Sequence, residues 1–215
     1  MAELVPIPSP GVPLYFGDQG SPLVIVVHDW YGRLPGLDSY AKALAKVGFR
    51  VVVPDLYAGV ATVDAADAKK LMHQLDVAGS LAILDDVIQS AREQGSRKIG
   101  VVGFSMGGWL TLLHAQSGAV DAVVAYYATL SAAQHGVIPC PLQLHFAETD
   151  EWGADDYPEL FISRLKDHGT PVSDYSYLGT VHTFANASIP EKFDAPESAL
   201  AFARTATFLE DHLSD

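Results

Sequence analysis

The pentapeptide Gly103-Phe104-Ser105-Met106-Gly107 has the G-x-S-x-G spacing of a nucleophile turn, with Gly108 directly after it. The chemistry this implies is acyl transfer, in which a serine hydroxyl attacks a carbonyl once a base has taken its proton. A sharp bend from strand into helix crowds the backbone two residues to either side of the serine, so positions 103 and 107 must be small. IGVVGF directly upstream reads as a buried strand, and WLTLLHAQ downstream reads as a helix. A dinucleotide fingerprint fails because Ser105 stands where its second glycine belongs, and a phosphate loop fails because no lysine follows. Backbone N–H groups at a helix start point at whatever binds beside them, so the Met106 amide is one expected oxyanion donor. The other is expected from the loop after an earlier strand, where His28-Asp29-Trp30-Tyr31-Gly32 offers the Trp30 amide.

A base and an orienting acid should follow in the order nucleophile, acid, histidine. Of the 8 histidines, His145, His168, His182 and His212 lie after or close to an acid position. His145 falls inside a strand, while His168 and His212 fall at helix ends, where a cation suits the dipole. His182, in the loop Gly179-Thr180-Val181-His182-Thr183-Phe184 past the last strand, is the expected base. The loop Ala147-Glu148-Thr149-Asp150-Glu151-Trp152 offers three carboxylates. Asp150 is the expected acid, Glu148 the alternative and Glu151 a solvated neighbour. The acid would hold the useful imidazole tautomer and stabilise the imidazolium.

These groups need a scaffold that brings distant loops together. Short β-branched runs at Pro22–His28, Phe49–Val53, Lys98–Phe104, Asp121–Tyr126 and Pro141–Phe146 read as buried strands, and the more alternating Val172–Leu178 as a strand nearer a sheet edge. Helical spacing runs over Leu37–Val47, Ala65–Leu75, Leu81–Arg92, Trp109–Gln116, Asp156–His168 and Glu197–Leu213. Asp38 and Ser80 are candidate caps, and the second and third helices are expected to separate around Gly79. The alternation predicts an α/β class: a mostly parallel central sheet with helices on both faces, in one domain over residues 1–215. The Pro-rich start is an arm, or one short strand around Leu14–Phe16.

The 215 residues suffice for one sizeable core, and 49% hydrophobic against 18% charged residues fits a globular chain. A formal net charge of −13 argues against nucleic acid or an anionic membrane as partner. No apolar stretch is long enough to span a bilayer, and the N-terminus lacks a basic start with a long apolar run. The single cysteine, Cys140, permits no internal disulfide. A cytoplasmic monomer is therefore expected. No HExxH motif or cysteine cluster is present, and His28-Asp29 alone is too common to count, so no metal is expected.

The segments HDWYG, RVVVPDLYAG, GVVGFSMGGWL, AVVAYY and GTVHTFAN, together spanning roughly Pro22 to Leu213, resemble the dienelactone hydrolase family. PDLY and H-x-F are more specific than G-x-S-x-G alone. The resemblance implies an α/β-hydrolase fold and a cofactor-free enzyme opening small esters or lactones through an acyl-enzyme. Its best-known members carry cysteine at the elbow where this chain has Ser105, and glutamate where it has Asp29. Asp29 is thus either a pocket carboxylate or a structural acceptor. The arginines implied to hold a dienelactone carboxylate correspond here to Asn186 and a position near Ala65, and Lys69 reads as a surface residue. Losing that clamp disfavours dienelactone itself. Trp30, Tyr31, Tyr126, Tyr127, Trp152 and Phe184 remain as aromatic pocket candidates suited to a modest apolar or aryl ester. A thioesterase or lysophospholipase-like acylhydrolase, and a ligand-binding protein without turnover, are the competing expectations.

Overall fold

A computed structural model describes residues 4–152 and 157–214. Seven strands, β1 (Leu14–Phe16), β2 (Leu23–Val27), β3 (Arg50–Val53), β4 (Ile99–Phe104), β5 (Ala122–Tyr126), β6 (Leu142–Thr149) and β7 (Val172–Val181), form one sheet. Its order is β1-β3-β2-β4-β5-β6-β7, parallel throughout except for the antiparallel edge strand β1. The helices are α1 (Pro35–Val47), α2 (Ala65–His73), α3 (Val77–Glu93), α4 (Met106–Ala115), α5 (Pro158–Asp167) and α6 (Ala195–Leu213).

Side chains alternate across a strand, and the buried central strands use both faces. Leu23, Ile25 and Val27 of β2 pack with α3, α4 and α5, whereas Val24 and Val26 pack with α1 and α6. A helical layer on each side explains why these strands are continuously apolar. Both classes of element expected from the sequence are present. Among the described residues, no helix is long and apolar enough to cross a membrane.

Helix boundaries differ instructively from the sequence reading. Asp38 does not cap α1: Leu34 holds the N-cap position and Pro35 opens the first turn, its fixed φ already helical. Ser80 does not cap α3 either, because that helix starts earlier, at Val77, and runs through Gly79. The Asp76 carboxylate accepts from the Gly79 N–H at 3.0 Å, and a Cβ at 79 would press into that carboxylate. The glycine makes room for the cap. The break between α2 and α3 therefore falls at 74–76. Helix α4 begins three residues before expected, immediately at Met106. The expected start of α5 at Asp156 lies outside the described residues.

Chain order reverses direction between β2 and β4, since β3 lies to one side of this pair and β5 to the other. Beyond the carboxyl ends of strands at such a switch point, the loops diverge and leave a crevice. The turns after β2 and β4 flank it, and those after β6 and β7 reach toward it.

Candidate active site

Ser105 occupies the bend between β4 and α4 with φ 53° and ψ −115°. A non-glycine residue there is strained, at a cost of about 1–3 kcal/mol, so the surroundings must enforce it. They do so by close packing. A Cβ on Gly103 would overlap the Gly107 carbonyl, and one on Gly107 would overlap the His28 carbonyl. The bend thus presses directly against the loop after β2. Tyr127 and Thr183 also have positive φ, at 41° and 79°, so three strained non-glycine residues gather around the crevice.

The Ser105 hydroxyl lies 2.7 Å from His182 Nε2, and His182 Nδ1 lies 2.8 Å from Asp150 Oδ2. An ionised carboxylate only accepts, so Nδ1 carries the proton and Nε2 is left to accept from the serine. The other Asp150 oxygen accepts from the Trp152 N–H at 2.9 Å, which fixes the carboxylate's orientation. The three side chains converge from three loops, although 32 and 77 residues separate their pairs in sequence. Glu148 is turned elsewhere and accepts from the Gly179 N–H at 2.7 Å. Glu151 is exposed.

The Met106 N–H opens α4 and has no partner within the helix. On the facing loop, Tyr31 N–H donates to Asp29 Oδ1 at 2.9 Å and Gly32 N–H to the Asp29 carbonyl at 3.2 Å. Among the described residues, nothing hydrogen-bonds the Trp30 amide between those turns. His28 anchors the same loop: it is fully buried, with Nδ1 on the Asp29 carbonyl at 2.7 Å and Nε2 accepting from Leu56 N–H at 3.1 Å. Burial lowers its pKa to about 4, so the ring stays neutral.

Asp29 does not face the crevice. Its Oδ2 accepts from Asn186 Nδ2 at 2.8 Å, and it borders a separate small cavity of about 20 Å³ with His28, Tyr40, Phe104 and Asn186. Burial pushes its carboxyl up to about 6, against the lowering effect of the bonds from Asn186 and Tyr31. Of the two readings left open by the sequence, the geometry is that of a structural acceptor.

A cleft of about 520 Å³ opens onto Ser105 and His182. Tyr127 and Trp152 line it, and the Tyr127 ring lies 4.9 Å from that of His182. Trp30 is buried and touches Trp152 edge-on at 4.7 Å. Tyr31, Tyr126 and Phe184 do not line the cleft: they pack in the core. Sequence reasoning missed Met72, Leu75 and Val77 at the α2–α3 junction, and also Trp109, Phe146 and Tyr157. Leu75 falls at the end of an expected helix, but nothing local aims it at a serine thirty residues later. Among the described residues, no group of three or more His, Cys, Asp or Glu side chains is placed to hold a metal ion.

The model of the dienelactone hydrolase family matches residues 14–213. A carboxymethylenebutenolidase of Pseudomonas putida is 31% identical over 204 residues, covering 88% of this chain and 85% of that protein. Protein usf of Aquifex pyrophilus is 27% identical over 208 residues, covering 91% and 90%. Among solved structures, a putative dienelactone hydrolase from Klebsiella pneumoniae superposes with a TM-score of 0.80 at 21% identity, covering 99% of both chains. Its likeness establishes the α/β-hydrolase fold.

Proposed function

Because this chain belongs to the dienelactone hydrolase family and is a hydrolase of ester or lactone type, we propose that it works by acyl transfer through Ser105, His182 and Asp150. His182 Nε2 takes the Ser105 proton as Oγ bonds to the carbonyl carbon, and the carbonyl oxygen gains the negative charge. The Trp30 and Met106 amides receive that oxyanion, while Asp150 stabilises the imidazolium at Nδ1. As the tetrahedral species collapses, the carbon–oxygen bond to the alcohol breaks and His182 protonates the departing oxygen. Water repeats the cycle on the acyl-enzyme: His182 takes its proton, its oxygen adds to the carbon, and Ser105 leaves reprotonated. A lactone follows the same course, with its alcohol remaining attached to the acyl group.

The observation that carries this reading is the continuous relay of 2.7 Å and 2.8 Å hydrogen bonds ending on a strained serine. Labelling with a small fluorophosphonate tests it. Ser105 is expected to be phosphonylated in the intact protein, and both Ser105→Ala and His182→Ala to lose labelling and aryl-ester hydrolysis. Equal labelling of the His182→Ala protein would sink the mechanism and leave a ligand-binding role as the better account.

A further inference from the structure

The walls of the cleft bear on the substrate itself: we propose that the site takes uncharged esters with an extended apolar acyl chain, seated along Met106, Trp109 and the α2–α3 junction at Met72, Leu75 and Val77. The assignment rests on the acyl-transfer reading above. A leaving alcohol has to depart within reach of His182 Nε2, and His182 is flanked by Tyr127 and Trp152. The acyl remainder then has the apolar part of the cleft lining to occupy. That lining is one contiguous apolar patch, because Met72, Leu75, Val77 and Trp109 pack in the same cluster as Met106.

Charge sharpens the assignment. Among the described residues, the acidic and basic side chains lining the cleft are Asp150 and His182, which are already hydrogen-bonded to each other. No lysine or arginine lines the cleft among the described residues. Lys70, on the helix that supplies Met72, points its ammonium to Asp67 at 2.6 Å. A carboxylate on the substrate would shed its hydration and find no counter-charge, inside a protein whose formal net charge is −13. An alkyl chain in the same place buries surface against Met, Leu, Val and Trp side chains. The volume, about 520 Å³, is that of a pocket for a ligand of drug-like size, well beyond what an acetyl group needs.

The test is a p-nitrophenyl ester series with a constant leaving group. With wild-type protein, kcat/KM is expected to rise by about tenfold or more from acetate to octanoate, since each buried methylene favours binding. The p-nitrophenyl monoester of a dicarboxylic acid of matching length is expected to fall about a hundredfold below the octanoate. Met72→Lys, which places a cation where α2 ends, should narrow both ratios, the carboxylated ester gaining relative to the octanoate. A flat or falling chain-length profile, or equal turnover of the carboxylated ester, would overturn the acyl-subsite assignment even if the substituted protein failed to fold. Failure of the underlying mechanism looks different: there, no ester is turned over and no His182-dependent phosphonate labelling occurs.

Discussion

Asn186 donates from Nδ2 to Asp29 Oδ2 at 2.8 Å, and so ties the loop after β7, which bears His182, to the loop after β2, which bears Trp30. The tie extends further, because Ser188 N–H donates to Asn186 Oδ1 and Gly36 N–H to Ser188 Oγ. Asp29 is a buried acid whose pKa stands at about 6, above the 3.8 of an unfolded aspartate. The folded state therefore binds the extra proton. Its contribution is full below pH 3.8 and is lost as pH rises through 6, about 3 kcal/mol in all. The Asn186 hydrogen bond limits that loss, so Asn186→Ala should raise the Asp29 pKa further. Urea unfolding is expected to show a deficit of about 2 kcal/mol at pH 8 and a smaller one at pH 5. Equal deficits at both pH values would show that the carboxylate is not involved.

His28 carries the opposite sign. Burial lowers its pKa to about 4 from 6.5, so the folded state refuses a proton that the unfolded chain accepts. Stability is accordingly lost as pH falls from 6.5 to 4, by about 3 kcal/mol. The structural reason is specific: protonated Nε2 would direct N–H against the Leu56 N–H it now accepts from. His145, lowered to about 3 by burial, acts in the same direction. His28→Gln should be less stable at pH 7 yet show a smaller further loss between pH 7 and 4.5. An undiminished loss would place the acid sensitivity elsewhere.

The elbow was legible in the chain because its requirements are local: small residues at 103 and 107, an apolar strand before and a helix after. Asp150 and His182 could be narrowed to loops for the same reason, since each follows a recognisable strand. Asp29's partner could not be read, because the Asn186 contact spans 157 residues and depends on two loops meeting. The acyl wall was hidden for a related reason. Met72 and Leu75 look like ordinary amphipathic helix residues, and Val77 like part of the link between two helices, until the break at 74–76 is located. That break is set by the Asp76 side chain accepting from Gly79 N–H, where glycine alone suggested a helix end.

Packing at the elbow yields a steric prediction. Gly107 sits so close to the His28 carbonyl that a methyl group there has no space, and the obstruction is backbone, not a movable side chain. Gly107→Ala should cost about 3 kcal/mol, at the upper end for overpacking, as measured by thermal or urea unfolding. Activity should fall further than the unfolded fraction explains, because the shift displaces the turn bearing Ser105 and Met106 against the loop after β2. A stable, fully active Gly107→Ala protein would contradict the packing described.

The relay itself makes the most demanding prediction. Asp150→Asn keeps the shape of the side chain and its bond from Trp152 N–H, but turns an obligate acceptor toward His182 into an amide able to donate. Its NH₂ facing Nδ1 would favour the tautomer with the proton on Nε2, which is then unable to accept from Ser105. A loss of about 10³–10⁴ in kcat is expected with KM little changed, as for the analogous change in other serine relays. Glu148 should not rescue it, because its carboxylate is held by the Gly179 N–H at 2.7 Å. The matching control is Glu148→Gln, which should retain nearly full kcat. If Glu148→Gln instead carried the large loss and Asp150→Asn stayed active, the orienting acid would have to be reassigned to the neighbouring carboxylate.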